Sequence, residues 1–94
     1  MKKNKSEIYY FTYGSDKEES GHPFTGGWTI VEAPDFTAAL MMFRAVHPDL
    51  IEGKLNCCSV YHAESWGQTI MAQQGHSFGH ACHERITWEV YDNE

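Results

Sequence analysis

Cysteine and histidine gather unevenly in this chain, and their pattern is its clearest chemical signal. Three cysteines and six histidines occur in 94 residues, with Cys57-Cys58 and the run His76-Ser-Phe-Gly-His80-Ala-Cys82-His83-Glu84 in the second half. Thiolate and imidazole are the ligands zinc prefers, and a short domain gains most from a metal staple. Cys57, Cys82, His83 and His47 lie at ends of expected elements that a compact fold can bring together, which makes them the first candidates for a structural zinc site. Cys58, His80 and His76 are the second tier. The pattern is not that of a zinc finger, since there is no CxxC. The competing chemistry is a thiol nucleophile with a histidine base, assembled from Cys82, His83 and Glu84 or from Cys57 and a distant histidine. Neighbours on an extended chain point apart, and HExxH, Walker A and GxGxxG motifs are absent, so the reading is a binding protein rather than an enzyme.

The elements that must position these residues can be read from periodicity. Ile8 to Tyr13 is β-branched and aromatic, a strand, and Trp28 to Glu32 is a second. Gly14 to Gly27 between them is a polar loop. Asp35 after Pro34 is a helix N-cap, and Phe36 to Val46 is the helix, with Phe36, Leu40, Phe43 and His47 along one face. Pro48 ends it. His47 is then either a cap favoured by the helix C-terminus or an inward-facing ligand. Asp49 to Asn56, with Gly53, turns into a third strand, Leu55 to His62. On that strand Cys57 and Cys58 face opposite sides, so at most one joins a given site. A weaker helix follows from Ala63 to Gln73, Gly75 to Gly79 is a loop, and Glu84 to Tyr91 is a strand in which Ile86, Trp88 and Val90 alternate with polar residues. The fold expected is α+β: a mostly antiparallel sheet of about four strands with one or two helices packed on it, stapled by zinc.

Residues 1–94 make one domain, with 1–6 a flexible tail. The N-terminus has no apolar signal region, and no apolar run nears the roughly 20 residues that span a bilayer, so a soluble, cytoplasmic protein without membrane contact is expected. An odd number of cysteines fits a reducing compartment. The formal net charge is −6, and three of the seven basic residues, Lys2, Lys3 and Lys5, lie in the tail. The body is therefore strongly acidic, with a cluster at Asp16, Glu18 and Glu19. Such a surface repels phosphate, which argues against direct nucleic-acid binding and for docking into a basic groove.

Six blocks carry a resemblance: Tyr9-Tyr-Phe-Thr-Tyr-Gly-Ser15, Gly27-Trp-Thr, Glu32-Ala-Pro-Asp35, Phe43-Arg-Ala-Val-His-Pro-Asp49, Leu55-Asn-Cys-Cys-Ser-Val-Tyr61 and Phe78-Gly-His-Ala-Cys-His-Glu-Arg-Ile86. Together they resemble a group of small proteins carried by phages and mobile elements of Gram-positive bacteria. In size, charge and source the chain is similar to type II anti-CRISPR proteins. That resemblance implies a phage protein that inhibits the host's CRISPR effector nuclease by direct binding, with a structural zinc. Target DNA would be kept from the basic channel that such effectors use. Asp16, Glu18, Glu19, His22 and Phe24 are the partner-binding candidates it suggests. The alternatives are a mobile-element accessory protein that binds another host factor, and a small zinc or Cys/His-dependent hydrolase.

Overall fold

Alternation along three strands decides which side of the sheet holds the core. The computed structural model describes residues 6–13, 24, 26–74 and 81–87. Within them the elements are β1 (Glu7–Thr12), β2 (Trp28–Ala33), α1 (Phe36–Val46), β3 (Ser59–His62), α2 (Ala63–Trp66), α3 (Ile70–Gln74) and β4 (Cys82–Thr87). The strand order is β3-β1-β2-β4. β1 pairs antiparallel with β2, Tyr9 opposite Val31, and antiparallel with β3, Tyr10 opposite Tyr61. β4 joins the far edge parallel to β2, Val31 opposite Ile86. The result is an α+β domain whose sheet is mixed, with two antiparallel pairings and one parallel. The parallel strand has a simple cause. Both sides of β1 are taken by its antiparallel neighbours, and the chain has a long crossover through α1, β3, α2 and α3 before it reaches the β2 edge.

Tyr9, Phe11, Val31, Ala33 and Ile86 are buried on one face, where α1 packs with Ala39, Met42 and Phe43. Phe11 stacks on Phe43 with ring centroids 4.3 Å apart. Burying each such ring stabilises the fold by roughly 1.5–3 kcal/mol. The apolar stripe of α1 is rotated from the expected one: Phe43 is fully buried, but Phe36 is 48% exposed, and Ala39 and Met42 take its place. Phe36 keeps one contact with the sheet, its ring 5.7 Å from that of Tyr9 at the edge of the core. Asp35 caps the helix, its Oδ1 accepting from the Ala38 amide at 2.8 Å, a contact that contributes about 1 kcal/mol. On the opposite face Trp66 of α2 stacks on Tyr10 at 4.3 Å and meets Trp28 edge-on at 4.9 Å.

Three boundaries differ from expectation. Leu55–Cys58 is a bend before β3, tied to β1 by the Cys58 amide donating to the Thr12 carbonyl at 2.7 Å. The weak helix from Ala63 is two short helices, interrupted at Gly67–Thr69. β4 begins at Cys82, two residues early, and residues 88–91 of the expected last strand lie outside the described residues. Among the described residues no helix is long and apolar enough to cross a membrane.

Candidate functional site

At the end of the sheet where α1 finishes, four elements contribute to one polar chain. Tyr13 follows β1, Thr29 is the second residue of β2, Glu84 lies in β4 and His47 is the C-cap of α1. Thr29 Oγ1 donates to Glu84 Oε2 at 3.0 Å. Its single hydroxyl hydrogen is thereby committed, so its oxygen accepts from the Tyr13 phenol in a short bond. His47 Nε2 donates to the same Glu84 oxygen. The carboxylate thus ends two donor paths, one through β1 and β2 and one from the helix. Thr29 is fully buried and Tyr13 nearly so, whereas the side chains of His47 and Glu84 are 16% and 25% exposed. Burial pushes the Tyr13 phenol well above its ordinary range, and the Glu84 charge adds to this, so Tyr13 is a donor and stays protonated.

A bulge in the parallel pairing brings two adjacent side chains into this region. Trp28 is opposite Cys82 and Thr29 is opposite Glu84, leaving His83 as an extra residue. His83 Nε2 donates to the Gly26 carbonyl at 2.7 Å, and its ring stacks on Phe24 at 4.4 Å. Phe24 in turn meets His47 edge-on at 5.9 Å and Tyr13 at 5.4 Å. Strict alternation would have separated His83 from Glu84; the extra residue defeats it. Gly27, at φ +69, lies directly under this arrangement.

The sequence candidates distribute as follows. His47 and His83 enter the cluster, each with Nε2 engaged by an acceptor inside the protein. Cys57 is buried, and burial, reinforced by Cys58, pushes its thiol up to about 12, with Arg44 opposing. A thiol so held is a poor nucleophile. Cys82 and Cys58 are exposed, and Cys82 Sγ donates to the Glu84 backbone carbonyl at 3.2 Å rather than to a histidine. Among the described residues no three of His, Cys, Asp and Glu stand so that they could hold a metal ion. Zinc content of the purified protein, read by elemental analysis, is the direct measure of the staple expected from Cys57, Cys82, His83 and His47. His76 and His80, like Asp16, Glu18, Glu19 and His22, lie outside the described residues. Phe24, expected to face a partner, packs partly buried against the core and His83.

Thr29, Tyr13 and the central role of Glu84 were not singled out from sequence. A signal was present. Thr29 shares the inward register of Val31 and Ala33, and Glu84 precedes Ile86 by two, so each places a polar group on an apolar register. Buried polar groups need partners, and these two partner each other. Comparison of the chain with known protein families, with curated proteins and with solved structures finds no match.

Proposed function

We propose that this protein is a non-catalytic binding domain that presents negative charge to a basic, nucleic-acid-binding groove of a partner protein. Following the resemblance drawn from its sequence blocks, we propose a type II CRISPR effector as that partner and exclusion of target DNA as the outcome. The observation that carries the reading is the state of the cations. The described residues include seven carboxylates and three cations. Arg44 is paired with Asp49 at 2.9 Å and Arg85 with Glu32 at 3.6 Å, which leaves Lys54 as the one cation with no carboxylate in ion-pair reach among the described residues. A surface with its positive charge neutralised in this way attracts a basic groove and repels phosphate. The polar cluster at Glu84 supports the same reading, because the donors of Thr29, His47 and His83 point to acceptors within the protein.

The test is a gel-shift assay of target loading by a purified type II effector with increasing amounts of this protein. Loading should fall to nothing near stoichiometric amounts, and the inhibition should weaken as salt rises. Replacing Asp16, Glu18 and Glu19 by lysine, together with exposed Glu52 and Glu64, should slow association on the order of tenfold. Undiminished loading, or salt-sensitive binding of the isolated protein to DNA, would overturn the reading. A specific observation favours a second reading: Glu84 orients the His47 imidazole as a carboxylate orients a general base. Under the binding reading a folded His47→Gln protein still blocks loading. Loss of all activity in that folded variant would favour a catalyst.

A further inference from the structure

His62 stands at the junction of β3 and α2 with both ring nitrogens engaged, and by groups of opposite demand. Its Nδ1 accepts from the Glu64 amide at 3.1 Å, serving as the N-cap of α2. Its Nε2 lies 2.8 Å from Glu7 Oε1 of β1. A backbone amide can only donate, so Nδ1 carries a lone pair, and the hydrogen is on Nε2, facing the carboxylate. The ring is therefore the neutral Nε2–H tautomer. His47 and His83 each have Nε2 engaged by an acceptor, whereas His62, among the described histidines, accepts from a backbone amide.

We propose that His62 is a proton-operated latch for α2. Protonation places a hydrogen on Nδ1, where it meets the Glu64 N–H donor to donor, and the cap is lost. The Nε2 contact to Glu7 becomes an ion pair at the same moment, so the histidine is held to β1 as it releases α2. The titratable and charged groups that face His62 are Glu7 and Tyr9 of β1, the Tyr9 ring edge-on at 5.2 Å, and Glu64 of α2. The ring is 31% exposed, which gives protons access. What the latch holds is Trp66, at the other end of this one-turn helix, over Tyr10, Trp28 and Tyr61. Release loosens the aromatic cover on the second face of the sheet, independently of the Glu84 cluster on the first.

Site-resolved nitrogen NMR of the whole protein tests this. At neutral pH His62 should show an unprotonated Nδ1. As pH is lowered from neutral, the Glu64 amide should lose roughly fivefold in exchange protection, the ratio that corresponds to one hydrogen bond of about 1 kcal/mol. Tryptophan fluorescence should change with the same midpoint. His62→Asn keeps a capping acceptor but cannot titrate, and in it the Glu64 amide and the fluorescence should stay flat over the same fall in pH. An Nδ1–H tautomer at neutral pH in the wild type, protection at Glu64 that ignores pH, or an unchanged titration in His62→Asn would each overturn the latch.

Discussion

Replacing Glu84 by alanine should destabilise the fold by about 2–3 kcal/mol, because it removes the acceptor that two donors share, one of them fully buried. Thr29 is fully buried and directs its hydroxyl to this carboxylate, and His47 directs Nε2 to the same oxygen. Loss of the acceptor takes the partner from His47 Nε2 and leaves the Thr29 hydroxyl to compete with the Tyr13 phenol as donor in the one bond between them. For a chain of this length the change corresponds to a fall in melting temperature of roughly 10–20 °C. Thermal unfolding followed by circular dichroism measures it. Glu64→Ala is the control, since that carboxylate is exposed and its loss should stay within about 0.5 kcal/mol. A shift at Glu84 no larger than at Glu64 would mean that the polar chain does not hold α1, β2 and β4 together.

Gly27→Ala should be at least as damaging, for a different reason. Gly27 has φ +69, and a Cβ there would stand 2.3 Å from the Ala81 carbonyl oxygen and 2.6 Å from His83 Nε2. The Ala81 oxygen is backbone and accepts from the Trp28 amide at 3.2 Å, so it cannot retreat without opening the first contact between β2 and β4. We expect a loss of about 3 kcal/mol or more, with His83 displaced from the Gly26 carbonyl. Gly53→Ala isolates the backbone part of the effect: φ is +84 but nothing lies within 4 Å of the added carbon, and the cost should be about 1–2 kcal/mol. Equal losses at the two positions would show that the clash under β4 is not real. Amide spectra of Gly27→Ala should place the largest changes at residues 81–84.

Much of the sheet was legible because alternation survives wherever a strand is half buried. Ile8 to Tyr13 and Trp28 to Glu32 were read within about one residue of β1 and β2, and the cap at Asp35 and the end before Pro48 bounded α1 correctly. The boundaries failed where local preference is weak. Nothing in Leu55-Asn-Cys-Cys distinguishes a strand from a bend, and the bend follows from a single amide reaching the Thr12 carbonyl. Ala63 to Gln73 carries Trp66 and Ile70 at helical spacing, but Gly67 and Thr69 are weak helix formers, and the helix ends at the Gly67 cap once Trp66 is drawn onto Tyr10. The sequence leaves His47 open between a C-cap and an inward-facing ligand; in the structure it is the C-cap, its amide bonding to Phe43, and its ring turns to Glu84.

The amino-acid sequence by itself determined the α+β class, the order of the elements and the net charge of −6. Each of these depends on residue type and on spacings within one element, where the periods of strand and helix act directly. Only the tertiary structure decided that β4 runs parallel beside β2, that a bulge at His83 turns two adjacent side chains toward one region, and that Glu84 is where Thr29 and His47 meet. Those contacts join residues 37 and 55 positions apart. No local preference specifies such a meeting, because it follows from which sheet edge remained open and from the need of a buried threonine for an acceptor.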